Sequence, residues 1–166
     1  MQLYIMRHAI AALREKWIGP DEDRPLTRAG RARMRLASRG LRAIGVRFDI
    51  IISSPLIRAL QTAEIVAREF NYKSPIEICP ALAPGLKPEL LFQFLAAFPD
   101  ASSLLMVGHE PDLGNLALTL LGGAHPDRFP LRKGGVCRVD VDRMPPDGPG
   151  TLVWAVTPRI MRALAG

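Results

Sequence analysis

The pattern of apolar and polar residues along the chain is that of an α/β protein. Short, mostly apolar runs predict buried strands, and they lie at residues 2–6, 48–52, 76–79 and 103–107. Other segments have apolar residues every three or four positions, which predicts helices at residues 27–45, 55–70, 89–98 and 111–121. Alternating residues on either side of a proline- and glycine-rich turn predict an antiparallel strand pair at 136–141 and 151–156. We expect a final helical turn after Pro158.

Two of the predicted helix starts carry further information. Thr27 is expected to cap the first helix, and Ser53-Ser54-Pro55 has the form of an N-cap followed by proline in the first turn. Arg58 then falls in that turn, near the exposed amides and the positive end of the helix dipole. A cation does not stabilise a helix at that position, whereas an anion bound between the cation and the helix terminus would explain its presence. Arg58 is therefore a candidate anion-binding residue.

Composition restricts the class of protein. With 166 residues, 48% of them hydrophobic and 23% charged, the chain is expected to form one globular domain over residues 1–166. No apolar stretch reaches the roughly 18 residues of a membrane span, and we expect no signal peptide, because Arg7 and His8 interrupt the apolar run at the N-terminus. We therefore expect a cytoplasmic protein without membrane contacts. Cys79 and Cys137 lie far apart in predicted strands, which is typical of reduced core thiols rather than a disulfide or metal site.

The chain is basic, with a formal net charge of +6, which favours acidic partners or anionic substrates. Five arginines with spacings of three and four share one face of the first predicted helix. We call this set the arginine stripe; it consists of Arg28, Arg31, Arg35, Arg39 and Arg42. It is either a solvated helix face or a docking surface for an acidic protein. Nucleic-acid binding is not expected, because the stripe has no interleaved aromatic residues for base stacking.

Three of the predicted strands end in polar residues suited to one chemistry. The first leads into Arg7-His8, the second into Ser53-Ser54 with Arg58, and the fourth into Gly108-His109. If these strands are parallel neighbours, the groups converge at the carboxyl edge of the sheet, where open α/β sheets bind ligands. Two arginines and two histidines match a dianionic phosphoryl group, and a histidine can attack phosphorus if its other nitrogen is held as a donor. The alternative of a metal held by the two histidines lacks an acidic or cysteine ligand at a recognised spacing.

Four segments carry a family resemblance. They are I-M-R-H-A at residues 5–9, R-P-L-T-R-A-G at 24–30, S-S-P-L-I-R-A-L-Q-T-A-E at 53–64 and V-G-H-E at 107–110. In this order they resemble segments of the histidine phosphatase (phosphoglycerate mutase-like) superfamily, beginning with its R-H-G signature. The short length and layout of the chain are most similar to the SixA-type phosphohistidine phosphatases.

This resemblance implies a fold and a set of roles. The fold would be a three-layer α/β/α sandwich around a mixed six-stranded sheet whose fifth strand runs antiparallel. His8 would be the nucleophile that becomes phosphorylated, while Arg7, Arg58 and His109 would bind the phosphoryl group and stabilise the transition state. We expect no metal and no other cofactor. We also expect like-charge repulsion from the two arginines to lower the pKa of His8 and keep the nucleophile neutral.

Two departures from the family pattern bear on the reaction. Ala9 replaces the glycine of the signature, which should be tolerated if the backbone there is not left-handed. Larger relatives that cleave phosphate esters carry a carboxyl group that protonates the leaving oxygen, yet residues 78–82 offer no carboxylate. Glu89 and Glu110 are candidate substitutes without a supporting motif. Phosphohistidine needs less help from an acid, because its imidazole can leave neutral after protonation on the ring, whose pKa is about 6.5 in free histidine.

The sequence therefore predicts a phosphatase that acts on protein phosphohistidine through a phospho-His8 intermediate. Its partner would be a phosphohistidine-bearing protein, such as a histidine phosphotransfer domain, and the phosphatase itself would be a monomer. One alternative is hydrolysis of small phosphate esters such as sugar phosphates or nucleotides. Another, from a different class, is a phosphoprotein-binding module without turnover, although binding alone would not need a histidine placed as a nucleophile.

Overall fold

A computed structural model describes residues 1–123 and 129–166, and within them the chain forms a six-stranded mixed sheet. The strands are β1 (Gln2–Arg7), β2 (Ile50–Ser53), β3 (Glu77–Ile78), β4 (Ser103–Gly108), β5 (Val136–Asp140) and β6 (Thr151–Val156). Their order across the sheet is β3-β2-β4-β1-β5-β6. The first four strands pair in parallel, and β5 is antiparallel to both of its neighbours. The predicted mixed sheet with an antiparallel fifth strand is confirmed.

Helices cover both faces of this sheet. In the described part of the chain they are α1 (Arg28–Ala43), α2 (Ile57–Glu69), α3 (Pro88–Leu95), α4 (Asp112–Leu120) and α5 (Pro158–Ala163). Side chains of β1 alternate between two cores: Tyr4 and Met6 belong to the core with α1, α2 and α5, whereas Leu3 and Ile5 belong to the core with α3 and α4. This burial on both faces accounts for the continuous apolar run at the N-terminus and confirms the three-layer α/β/α sandwich.

The sheet brings the ends of three strands to one edge. β4 lies between β1 and β2, with Arg7 opposite Gly108 and Ser53 opposite Val107. Backbone pairing continues one residue further on both sides of β4: the His8 N–H donates to the Gly108 carbonyl (3.0 Å), and the Ser54 N–H donates to the Val107 carbonyl (2.9 Å). The expectation of parallel neighbouring strands is therefore confirmed.

The start of α1 is fixed against the segment that follows His8. Thr27 caps the helix as predicted, since its hydroxyl oxygen accepts a hydrogen bond from the Gly30 amide at 2.9 Å. The Thr27 amide donates to the Ile10 carbonyl at 3.0 Å. A side chain at position 30 would collide with that same carbonyl oxygen, so only glycine lets the helix approach this closely.

The predicted start of α2 is wrong. The helix begins at Ile57 rather than at Pro55, and its N-cap residue Leu56 has no capping side chain. The reason is that Ser54 still pairs with β4 as an extension of the strand, so Pro55 lies between strand and helix. Arg58 remains in the first turn, as predicted. His125, which the sequence suggests is an ordinary loop residue, lies outside the described residues.

Candidate active site

His8 is buried at the end of β1, with a side-chain environment that defines its tautomer. The residue is 7% exposed, and its Nδ1 lies 2.8 Å from the Ala9 carbonyl oxygen. Because a carbonyl only accepts, Nδ1 carries the proton and Nε2 keeps a free lone pair. Burial, followed by the charges of Arg58 and Arg7, lowers the pKa of His8 from 6.5 to about 4 against the opposing effect of the Ala9 hydrogen bond. The predicted lowering is confirmed in direction, but desolvation is a larger cause than like-charge repulsion.

The segment after His8 tolerates alanine in place of the signature glycine. Within the described residues, Asn71 is the one non-glycine residue with a positive φ, so Ala9 has an ordinary backbone conformation. The Ala9 amide donates to the Thr62 hydroxyl at 3.0 Å, and that hydroxyl donates to the Arg58 carbonyl at 2.7 Å. Ala9 therefore links the loop that follows His8 to the first turns of α2.

His109 stands beside His8 at the end of β4. Their ring centroids are 5.2 Å apart, and His109 is 3% exposed. Its Nε2 lies 2.8 Å from the Ser54 hydroxyl oxygen. The sequence predicts only a helix-capping role for Ser54 and does not indicate this contact. Burial is the main cause that lowers the pKa of His109 to about 3, with further contributions from His8 and Arg58. Both histidines are thus neutral at physiological pH.

Two guanidinium groups flank the histidines and are held by other parts of the chain. Arg7 donates from Nη1 to the Leu131 carbonyl at 2.9 Å. Arg58 donates from Nη1 to the Asp21 carbonyl at 2.7 Å, and its Nη2 lies 3.0 Å from the Asp21 Oδ2. Both side chains therefore have defined positions rather than the mobility of surface arginines.

Some buried polar atoms of the site have no hydrogen-bond partner in the described structure. In residues 1–123 and 129–166, the buried side-chain nitrogen or oxygen atoms without a hydrogen-bond partner are Arg7 Nε, Arg58 Nε and His109 Nδ1. Leaving a buried donor unsatisfied costs about 1–3 kcal/mol, so such atoms are rare in proteins without a functional reason. All of them belong to the three residues that the sequence predicts to bind a phosphoryl group. An oxyanion bound in the same cleft would accept hydrogen bonds from the two arginine N–H groups, and from His109 Nδ1 when that nitrogen carries the proton.

Asp21 joins the arginines of the site, and sequence reasoning missed it. Its carboxylate lies 2.8 Å from Arg24 Nε, 3.0 Å from Arg58 Nη2 and 3.3 Å from Arg14 Nε. Burial alone would raise the pKa of Asp21, but the hydrogen bond from Arg24 and the charges of the three arginines outweigh burial and lower it. The signal that points to this residue is its place in an acidic run just before the R-P-L-T-R-A-G segment.

These groups line a cleft of about 350 Å³ at the carboxyl edge of the sheet. We call it the active cleft; its charged and histidine lining residues are Arg7, His8, Arg14, Glu15, Arg24, Arg58, His109, Glu110 and Lys133. This lining contains five cationic side chains and two carboxylates. All four predicted site residues line this cleft. The excess of positive charge in its lining favours the binding of an anion.

The two carboxylates considered as general acids are placed very differently. Glu89 is exposed on α3 and is not among the residues that line the active cleft. Glu110 lines the cleft, and its Oε1 accepts a hydrogen bond from the Leu131 amide at 3.2 Å. Burial raises the pKa of Glu110, against the hydrogen bonds of the Leu131 and Gly114 amides and the charge of Arg7. Glu110 therefore holds the same residue, Leu131, whose carbonyl positions Arg7.

The arginine stripe does not reach this site. None of its members lines the active cleft as the described residues define it, and all are exposed apart from Arg31, which is half-buried. Arg39 pairs with Glu69 at 2.9 Å, and Arg42 donates to the Glu69 carbonyl at 2.7 Å. Both interpretations of the stripe, solvated face or docking surface, remain predictions.

The described part of the chain has no group of three or more histidine, cysteine, aspartate or glutamate residues that could hold a metal ion. No helix in that part has the length and apolar character needed to cross a membrane.

Comparison with known proteins agrees with the geometry. The model of the histidine phosphatase superfamily (branch 1) matches residues 3–83. The chain is 33% identical to the phosphohistidine phosphatase SixA of Escherichia coli over 95% of this chain and 94% of that one. It is 41% identical to an uncharacterized protein of Picosynechococcus sp. over 82% of each chain. A structure of the protein histidine phosphatase SixA complexed with tungstate superposes with a TM-score of 0.83 at 33% identity, covering 96% of this chain and 98% of that one.

Proposed function

Since this chain belongs to the histidine phosphatase superfamily and is a phosphatase of that family, we propose that it hydrolyses phosphohistidine on another protein through a covalent phospho-His8 intermediate. The observation that carries this proposal is that three buried, unpartnered side-chain nitrogens belong to residues that line one cleft with His8, whose Nε2 lone pair is free. We further propose that the protein acts in the cytoplasm as a monomer. No cofactor takes part in the proposed steps.

In the first step, His8 Nε2 attacks phosphorus while the bond from phosphorus to the substrate's imidazole nitrogen breaks. The imidazole leaves with the bonding electron pair, and it leaves neutral because its other ring nitrogen already carries a proton taken from solvent. His8 must be unprotonated at Nε2 for this attack, and a pKa of about 4 ensures that it is at neutral pH. The Ala9 carbonyl holds Nδ1–H and orients the ring toward the cleft.

Charge on the transferred phosphoryl group is stabilised by the surrounding donors. Arg7 and Arg58 supply N–H groups to the phosphoryl oxygens. Their Nη1 groups donate to the Leu131 and Asp21 carbonyls, and these hydrogen bonds keep the guanidinium groups in place. His109 supplies Nδ1–H if Ser54 donates its hydroxyl proton to Nε2, which the 2.8 Å contact allows. Phosphoryl transfer depends mainly on such positioning and charge stabilisation. The related SixA structure contains tungstate, a tetrahedral oxyanion like phosphate.

In the second step, the oxygen of a water molecule attacks phosphorus and the P–N bond to His8 breaks, with its electron pair returning to Nε2. The water's two protons leave with the product as dihydrogen phosphate, which loses one of them to solvent, and His8 is again neutral with its proton on Nδ1. No protein carboxylate is required in either step, which is consistent with the engagement of Glu110 by the Leu131 amide.

Hydrolysis of small phosphate esters is the second candidate function, and one observation favours it. Glu110 lines the active cleft and has a raised pKa, which is a property of general acids. Against it stands the hydrogen bond that commits Oε1 to the backbone at position 131.

The experiment that separates these functions is phosphate release from a histidine-phosphorylated peptide, with p-nitrophenyl phosphate assayed in parallel. We expect release from phosphohistidine by the wild type and loss of release in His8→Ala. Turnover of the ester alone would assign the enzyme to ester hydrolysis. Turnover of neither substrate, with retained binding of the phosphopeptide, would identify a binding module.

A further inference from the structure

A second cationic concavity adjoins the active cleft. It has a volume of about 340 Å³ and is formed by the segment after β1, α1, the turn before β5, and α5. We call it the basic groove; its charged lining residues are Arg33, Arg132, Lys133, Arg159 and Arg162. No carboxylate lines it among the described residues, in contrast to the active cleft.

The cations of the basic groove are uncompensated. None of the five forms an ion pair with any residue in the described part of the chain. Arg33, Arg132, Lys133 and Arg159 are exposed, and Arg162 is half-buried. Like charges gathered in one concavity repel each other, so the arrangement favours the approach of an anionic ligand.

The basic groove is joined to the catalytic centre through the backbone. Lys133 lines both the groove and the active cleft, and the groove wall includes Ala9, the residue after His8. The Gly134 amide donates to the carbonyl oxygens of Arg7 (3.0 Å) and His8 (3.1 Å). Gly134 has a φ of +80°, a conformation that favours glycine and lets the turn lie against these residues. A chain bound in the groove would therefore lie next to the active cleft.

The remaining lining residues indicate what kind of anion fits. The groove contains apolar surface from Ile10, Met34 and Pro158 alongside its cationic rim. No aromatic residue lines it in the described structure, so it lacks the platforms on which nucleic-acid bases stack. Its five cations carry more positive charge than a single phosphate dianion neutralises, which favours an occupant with several anionic groups. An acidic polypeptide segment with some apolar side chains matches both the rim and the floor.

We propose that the basic groove docks an acidic segment of the phosphohistidine-bearing protein while the phosphohistidine itself enters the active cleft. This inference rests on the proposed function, because it needs a protein substrate. It assigns partner recognition to the basic groove rather than to the arginine stripe. Docking raises the local concentration of the substrate and therefore acts on KM rather than on the chemical step.

The test uses two charge-reversal variants with the same change in net charge. Arg33→Glu with Arg159→Glu alters the groove, and Arg28→Glu with Arg35→Glu alters the stripe; all four residues are exposed. The substrates are a peptide with one phosphohistidine flanked by aspartate and glutamate, the same peptide with neutral flanks, and free phosphohistidine. Melting temperatures of both variants check that each chain is folded.

We expect the groove variant to lose about tenfold in kcat/KM on the acidic peptide, through KM, and to remain within about twofold of the wild type on free phosphohistidine. The stripe variant should stay within about twofold on every substrate. Raising the salt concentration should weaken the wild type's preference for the acidic peptide and leave the groove variant unchanged.

Several results would overturn the proposal. One is an unchanged preference for the acidic peptide in the groove variant, and another is an equal loss on all three substrates. Groove-dependent binding of an RNA oligonucleotide without an effect on the acidic peptide would assign the charges to nucleic acid instead. If the wild type released phosphate from none of the three substrates, the proposed function would fail as well, so the two failures are distinguishable.

Discussion

The active cleft and the arginine stripe are two arginine-rich regions of one small protein, and they differ in almost every physical respect. Arg58 in the cleft is 4% exposed and is held by both the carbonyl and the carboxylate of Asp21. Arg39 in the stripe has a side chain that is 53% exposed and pairs with a single carboxylate oxygen of Glu69. The cleft arginines surround two buried histidines, whereas the stripe faces solvent along one helix.

Burial and fixed geometry, rather than the number of cations, therefore distinguish the proposed phosphoryl site from the stripe. Exposed ion pairs contribute about 0–1 kcal/mol because water screens them and the side chains must be ordered. Buried donors with fixed geometry act in a medium of lower dielectric and need no reorganisation during the reaction. The backbone bonds at Leu131 and Asp21 supply that fixed geometry.

The largest difference in activity is expected when one arginine is removed from each region. Arg58→Ala should lower kcat/KM for phosphohistidine by about 10²–10³-fold, because one set of phosphoryl donors is lost from a buried site. Arg35→Ala should stay within about twofold of the wild type. Steady-state kinetics on a histidine-phosphorylated peptide measures both.

Arg58→Lys is the control for this pair, since it keeps the charge but loses the planar fork of donors. It should recover only part of the activity lost in Arg58→Ala. Comparable losses in Arg35→Ala and Arg58→Ala would contradict the proposed difference in function between the active cleft and the arginine stripe.

The second prediction concerns the protonation of the two buried histidines in the active cleft. NMR titration of labelled histidine rings should show His8 and His109 neutral down to pH 5, because their pKa values lie at about 4 and about 3. These values are depressed relative to the unfolded chain, which therefore binds protons first as the pH falls. The stability contributed by the neutral rings is complete above pH 6.5 and decreases as the pH falls through the folded-state values. A ring of His8 that is protonated at pH 7 would contradict this account.

Asp21→Asn tests whether the arginines of the cleft depend on their carboxylate. The amide keeps a similar shape but removes the negative charge shared by Arg14, Arg24 and Arg58. We expect kcat/KM to fall by about tenfold, chiefly through less defined positioning of Arg58. Because Asp21 acts through Arg58, the variant combined with Arg58→Ala should lose little more than Arg58→Ala alone, which a double-mutant cycle measures.

Glu110→Gln should have the smallest effect among the cleft variants. Glutamine retains an oxygen that can accept the Leu131 hydrogen bond, so kcat/KM for phosphohistidine should stay within about threefold of the wild type. A general acid contributes about 10²–10⁴-fold. A loss of that size, seen with an alkyl phosphate, whose alkoxide leaves poorly without protonation, would identify Glu110 as the acid and favour ester hydrolysis.

Much of the fold follows from local patterns in the sequence. The alternation of β1 between two cores, the Thr27 cap and the β5–β6 pair were all predictable, because each depends on residues close in the chain. The start of α2 was not, since Ser54 pairs with β4, a strand about fifty residues away in the sequence. Local capping rules cannot include such a distant partner.

The candidate site divides in the same way. Arg7, His8, Arg58 and His109 stand at strand ends or in a recognisable helix turn, and short motifs identify them. Asp21 lies in a long loop whose path the sequence does not reveal, so its contact with Arg58 could be seen only in three dimensions. The basic groove depends likewise on α1, α5 and a turn before β5 meeting in space.

In the proposed reaction, His8 carries the phosphoryl group during turnover. The most direct test is rapid mixing of the enzyme with a histidine-phosphorylated peptide, alkaline quenching, and intact-protein mass spectrometry followed by peptide mapping. We predict one transient phosphoryl group on His8 in the wild type, and none in His8→Ala, which should also release no phosphate. Phosphate release by His8→Ala at the wild-type rate, or a phosphoryl group mapped to another residue, would contradict the account.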